Sequence, residues 1–146
     1  MTARNILIGL LAFLGIGAIG GGEVLIFSPS GKLIGMPLSL LKTSPFDSFF
    51  VPGIILFLTL GLFPFEIIYA LIKKPNSKLA EQTNFFYDMH WSWTYCIYIA
   101  FILIFWIQIQ MIMINAVSWL HTFYMFFAAL IIFVALLPQV RNLYKK

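Results

Sequence analysis

The chain has 146 residues, 62% of them hydrophobic and only 10% charged, with a net charge of +4. Soluble domains carry roughly 25% charged residues, and a chain of this size has no core large enough to hide so much apolar surface from water. The nine Lys and Arg residues are scattered over loops and tails rather than clustered, which excludes a nucleic-acid surface. The one cysteine, Cys96, lies in an apolar run and is read as a buried, inert side chain.

Four stretches reach the ~20 apolar residues that span hydrocarbon. The first covers about residues 5–27. Its apolar run is longer than the ~7–15-residue core of a signal peptide, and Glu23 with bulky residues follows its glycines, so it is read as a retained helix. Asn5, Gly9, Ala12, Ile16 and Gly20 fall on the helical face of Glu23. This small, polar stripe is expected to face other helices. Gly17 and Gly21 form a GxxxG spacing on another face and suit close helix packing.

Residues 28–48 follow as a long loop. It opens on the turn signal Ser28-Pro29-Ser30-Gly31 and ends on Ser44-Pro45-Phe46-Asp47-Ser48. Its middle, 33–41, is apolar but too short to span, and reads as an interfacial or re-entrant cap. Asp47 or Ser48 is suited to cap the next helix, and Pro52 to its first turn.

The second span covers about 49–72, where Pro64 removes a helix hydrogen bond and favours a bend. The third covers about 91–114 and the fourth about 119–137, and the short link 115–118 makes them a tight hairpin. The fold class is therefore all-α: an integral-membrane four-helix bundle in one domain, 1–146, with a structured loop between its first two helices. Arg4, Lys73, Lys74, Lys78, Arg141, Lys145 and Lys146 fall on one side of the membrane, and only Lys32 and Lys42 on the other. The positive-inside rule then puts both termini in the cytoplasm and the 28–48 loop outside.

Ionisable and amide groups inside spans are costly and are functional candidates by default. Glu23, Gln108 and His121 belong to three helices at similar outer depth, with Asp47 and Asn115 near the same level. If their faces converge, they line an outer polar pocket, with Phe101 and Phe105 as apolar wall; the alternative is a hydrogen-bonded knot that fixes helix register. A second, inner group is Glu66 with Asp88 and His90, where Glu66 either pairs with His90 or snorkels toward Lys73. His90 and His121 fall on opposite faces of the membrane and cannot share a metal. No HxxxH, CxxC, HExxH or phosphate-loop spacing occurs, so no catalytic, metal or cofactor site is assigned.

Gly21-Gly22, Pro29-Ser30-Gly31, Gly35-Met36-Pro37-Leu38, Ser44-Pro45-Phe46 and Pro52-Gly53 resemble the pattern of a group of small four-helix bacterial membrane proteins. The four-span layout is also similar to that of DoxX-type proteins. The resemblance covers the first two spans and their loop, implies a bacterial inner membrane, and carries no activity or site residues with it. Glu23-Val24 in a first span resembles small multidrug resistance transporters, from which the off-centre Glu23 and the long loop depart. Three functions are weighed, in order. The first is a non-enzymatic membrane protein that binds a lipid or small apolar ligand in the outer pocket, or serves as an accessory subunit. The second is a proton-coupled transporter working as an oligomer through Glu23 or Glu66. The third is a membrane-embedded enzyme using His121 with Glu23. The expected partners are membrane lipids and another membrane protein or a second copy, and not nucleic acid.

Overall fold

The computed structural model describes residues 2–31, 45–114 and 119–146, with the side chains of 113 and 114 left aside. The apolar middle of the long loop, the Gly35–Leu38 motif and Asn115 lie outside the described residues. Six helices make up the described chain: α1 (Ala3–Phe27), α2 (Phe50–Lys73), α3 (Lys78–Gln82), α4 (Trp91–Ile114), α5 (Trp119–Leu136) and α6 (Pro138–Tyr144). Four of them, α1, α2, α4 and α5, are long and apolar enough to cross a bilayer, so the chain is a multi-pass membrane protein.

The starts of these helices follow from local chemistry. Thr2 caps α1 by accepting from the backbone N–H of Asn5. The Ser48 hydroxyl accepts from the N–H of Phe50 at the start of α2, so Ser48, rather than Asp47, serves that helix end. The loop before it is tied at its base, where the N–H of Phe49 donates to the carbonyl of Pro29 at 2.8 Å. Gly31 supplies the positive φ that closes the preceding turn. In α2 the backbone widens to π geometry over Phe57–Leu62, just ahead of Pro64. The proline's missing donor is absorbed as a π segment inside one continuous span.

The four spans form a ring in which α1 meets α2 and α5, and α4 meets α2 and α5. Leu7, Leu11, Leu14 and Ala18 of α1 point inward at helical spacing. They meet Leu60, Ile67 and Leu71 of α2, Cys96, Ile99 and Leu103 of α4, and Ile131 and Val134 of α5. In each span 33% of an 18-residue stretch is buried within the chain, and the rest is half-buried or exposed.

Burying leucine gives no hydrophobic gain in lipid, so helix pairing there relies on close approach. The α1–α2 pair shows it. A Cβ built on Gly22 would sit 2.9 Å from the carbonyl oxygen of Gly53 and 2.8 Å from Cβ of Phe57. One on Gly53 would sit 2.7 Å from Cβ of Leu25, and one on Gly15 3.0 Å from the carbonyl oxygen of Gly61. The close-packed glycines of α1 are thus Gly15 and Gly22, seven residues apart. Gly17 of the expected GxxxG faces the Tyr124 hydroxyl of α5 instead, while Gly21 has room against Leu56.

The stripe expected to face other helices points largely away from those of its own chain. Asn5, Gly9, Ile16, Gly20 and Glu23 are exposed and Ala12 is half-buried, and a Cβ on Gly9 or Gly20 would meet nothing within 4 Å. Gly22→Ala is therefore expected to destabilise the bundle by about 1–3 kcal/mol, because backbone atoms cannot yield to the new methyl. Gly20→Ala is expected to be neutral or to stabilise by about 0.5–1 kcal/mol through helix propensity. Reversible unfolding of the two variants in mixed micelles measures both; equal behaviour would contradict the α1–α2 packing.

Candidate functional site

The residues expected to form an outer pocket are distributed over different surroundings. Glu23 near the end of α1 and Asp47 before α2 are exposed. Phe101 and Phe105 of α4 are 47% and 64% exposed, and so lie on the outward face of the bundle. Gln108 is exposed as well, with its amide nitrogen 3.9 Å from the sulfur of Met125 on α5. His121 is the one described member of this group that is buried, at 9% exposure near the start of α5. On the inner group, Glu66 and Asp88 are exposed.

His90 does not hydrogen-bond Glu66. Its Nδ1 caps the start of α4 by accepting from the backbone N–H of Ser92 at 3.2 Å, and lies 2.8 Å from the Ser92 hydroxyl. Its other ring nitrogen, Nε2, must then carry the proton and donates to the carbonyl of Pro75 at 3.2 Å. The Trp91 indole donates to the same carbonyl at 2.8 Å.

These contacts belong to a polar assembly at the end of the bundle that carries both termini. Asn84, fully buried, is its hub. Its amide nitrogen donates to the carbonyl of Met89 at 2.8 Å and to a carboxylate oxygen of Glu81 at 3.3 Å. Its oxygen accepts from the N–H of Phe86 at 3.0 Å and from the hydroxyl of buried Thr94 on α4. A carboxamide offers two donors and two acceptor sites, and all four are used. Tyr98 adds a second tie: its hydroxyl donates to the carbonyl of Thr83 and accepts from the N–H of Phe85. The 83–90 segment is thereby stitched to the side of α4.

The C-terminal segment closes the assembly. The N–H of His90 donates to the carbonyl of Tyr144 at 2.7 Å, and that of Lys146 to the carbonyl of Asp88 at 2.9 Å, forming a short antiparallel bridge between Met89 and Lys145. Lys146 also pairs with Glu81 at 2.6 Å. The Tyr144 hydroxyl donates to the carbonyl of Leu71 in the last turn of α2 at 2.7 Å. Burial pushes its pKa up, so it remains a donor at neutral pH, with the Arg4 guanidinium of α1 beside it. Lys74 ends α2 in a left-handed conformation, sits 4.8 Å above the Tyr144 ring, and donates to the carbonyl of Leu143. The Trp93 indole, buried, donates to the carbonyl of Ala135 on α5 at 2.7 Å. Strands of contact from all four spans thus meet at this end.

Sequence reasoning missed Asn84 and Tyr144. Asn84 stands in a short polar stretch where Asn ordinarily marks a turn, and Tyr144 stands two residues from the chain's last position. The spacing of Thr83-Asn84 from the Tyr95 and Tyr98 hydroxyls is a tertiary feature with no local signal.

The assembly holds structure in place, and its chemistry predicts how it fails. Asn84→Ala leaves the Met89 carbonyl, the Phe86 N–H and the Thr94 hydroxyl without this partner. It is expected to cost about 1–3 kcal/mol for each buried group that finds no other partner, read as faster amide exchange across 83–92. Desolvation holds the His90 imidazole below its ordinary 6.5, and the Lys146 ammonium holds the Glu81 carboxyl below its ordinary 4.5. Both depressed values give the same sign. The His90 contribution is present above pH 6.5 and declines as pH falls from there through the depressed folded-state value. That of Glu81 is present above pH 4.5 and is lost below it. The thermal midpoint is therefore expected to fall between about pH 7.5 and 5.5, and the fall to shrink in His90→Asn, which can still cap α4 but does not titrate. An equal fall in that variant would remove His90 from the effect.

Compared with family models, with curated proteins and with solved structures, the chain finds no match.

Proposed function

We propose that this chain is a non-enzymatic accessory subunit of the membrane, which binds another membrane protein through the outward face of α1. The observation that carries this reading is the exposure of Asn5, Gly9, Gly20 and Glu23 along one side of a spanning helix. Glycines with open space above them admit a second helix at close range, while an amide and a carboxylate offer it hydrogen bonds. Lipid tails satisfy neither kind of group. The alternative of a ligand pocket draws on Glu23, Gln108 and His121, and the exposure of the first two beside the burial of the third favours association over enclosure. The basic residues gathered at the terminal end support an orientation with both termini in the cytoplasm, and the resemblance to small bacterial four-helix proteins supports a bacterial inner membrane.

Photo-crosslinking amino acids placed at Ile16 of α1 and at Phe105 of α4, both outward-facing, test the reading in native membranes. Protein adducts are expected from position 16 and not from position 105. They are expected to disappear in Gly9→Leu/Gly20→Leu, at two positions where an added Cβ meets no atom within 4 Å. Adducts of twice the chain's mass would identify the partner as a second copy. Equal adducts from both positions, or adducts indifferent to the leucines, would defeat the proposal.

A further inference from the structure

The segment between α2 and α4 is apolar on its outside. Leu79 of α3 is 76% exposed, Phe85 73% and Tyr87 78%, with Phe86 at 41%. In water such a group of side chains would be a liability, because contiguous exposed apolar patches mark contact with a partner or a membrane. Its position decides which. Thr83 and Phe85 are hydrogen-bonded to the hydroxyl of Tyr98, and the Phe85 ring packs edge-on against the Tyr98 ring with centroids 6.2 Å apart. Tyr98 stands about 10 Å along the axis from Trp91, where α4 begins, and its side chain leans back toward that start. The loop therefore does not stand off the bundle. It folds down along α4 by one to two turns, beside a helix that crosses the bilayer.

Charge completes the picture. The same end carries seven basic residues against the acidic Glu66, Glu81 and Asp88. Lys74 and Lys146 are occupied internally, on the Leu143 carbonyl and on Glu81. Lys73, Lys78, Arg141 and Lys145 are exposed, and among the described residues no carboxylate pairs with them. Lys78 is the immediate neighbour of Leu79, so a cation and an inserting side chain come from one short helix. Long basic side chains at this level lay their stems along apolar surface and keep their heads at the phosphates.

We infer that residues 77–87 form a membrane-interface anchor, with Leu79, Phe85 and Tyr87 seated in the leaflet and Lys73 and Lys78 holding the headgroups of anionic lipids. This inference rests on the four spans alone and not on the α1 association surface. The buried hub at Asn84 gives the anchor a fixed shape, since it pins the loop from within while its apolar side chains face out. Ser77 accepts from the N–H of Ala80 and starts the short α3 from outside the apolar part. An anionic surface gains on the order of a severalfold preference for each basic residue held near it.

Two measurements on the full chain in vesicles of equal phosphatidylglycerol and phosphatidylcholine test the inference. A nitroxide on Phe85→Cys, in a Cys96→Ser background, reports depth by paramagnetic relaxation. It is expected to be reached by oxygen and shielded from a water-soluble nickel chelate. A label reached freely by nickel would overturn the anchor. Native mass spectrometry of the lipids that stay bound reports headgroup choice. Wild type is expected to retain phosphatidylglycerol in preference, and Lys73→Gln/Lys78→Gln to lose about tenfold of that preference. Lys32→Gln/Lys42→Gln, which removes as much charge elsewhere in the sequence, is expected to change it little. Equal losses in the two pairs, or no preference in wild type, would overturn the headgroup site. Loss of the shielding in Asn84→Ala, with the four spans still helical by circular dichroism, is the expected sign that the hub sets the anchor's shape.

Discussion

Helices in hydrocarbon must be joined without help from the hydrophobic effect, because lipid tails and leucines are equally apolar. Here that constraint is met in two physically different ways. Along α1 and α2 the backbones come together at Gly15, Gly22, Gly53 and Gly61, where added methyls would strike main-chain or tightly packed atoms. At the terminal end the joining is done by hydrogen bonds, from Tyr144, Trp93 and His90 to carbonyls on other segments and from the Thr94 hydroxyl to Asn84. Short-range dispersion contacts hold one half of the ring, and directional polar contacts close it.

The polar end solves a problem of its own. The last carbonyls of α2 and the first amides of α4 have no partners within their helices. Tyr144 reaches the carbonyl of Leu71, and His90 receives the amide of Ser92, so one orphaned group at each of these helix ends is answered by a side chain. No buried side-chain nitrogen or oxygen among the described residues is left without a partner. In a low-dielectric setting a satisfied network of this kind is rigid, and the loss of one member exposes the rest to the full cost of desolvation. The bridge between Met89 and Lys145 thus joins the C-terminal segment and the 83–90 loop into a single platform.

That platform and the outward face of α1 divide the molecule's surface. In the inferred anchor, one presents exposed aromatic side chains and cations to lipid headgroups. The other presents glycines and polar side chains along the depth of a helix. The first is suited to a fluid partner with many equivalent molecules, and the second to a single partner helix at close range. Neither requires a catalytic group, and the residues with chemical potential, Glu23 and His121, are set in unlike surroundings.

The number and limits of the spans were legible from the chain alone, because length and apolarity suffice to match a helix to a bilayer: about 91–114 and 49–72 were expected, and Trp91–Ile114 and Phe50–Lys73 are found. The distribution of Lys and Arg likewise gathered the termini and the 73–90 segment on one side, and the tertiary contacts of Tyr144 and Lys146 unite them there. Which face of each helix turns inward was not legible. In water, polarity marks the outer face; in lipid, a polar stripe marks a face that needs partners without saying whether they belong to the same chain, so the Asn5–Glu23 stripe read as facing other helices and is largely exposed. The same ambiguity hid the choice of Gly15 and Gly22 over Gly17 and Gly21, which is set by Gly53 and Gly61 of α2 lying opposite them in the folded chain. Asn84 shows the limit most plainly. Its residue type suits a turn, and three of its four hydrogen bonds are local, but the Thr94 hydroxyl that ties it to α4 reaches it only once the loop has folded back on the helix.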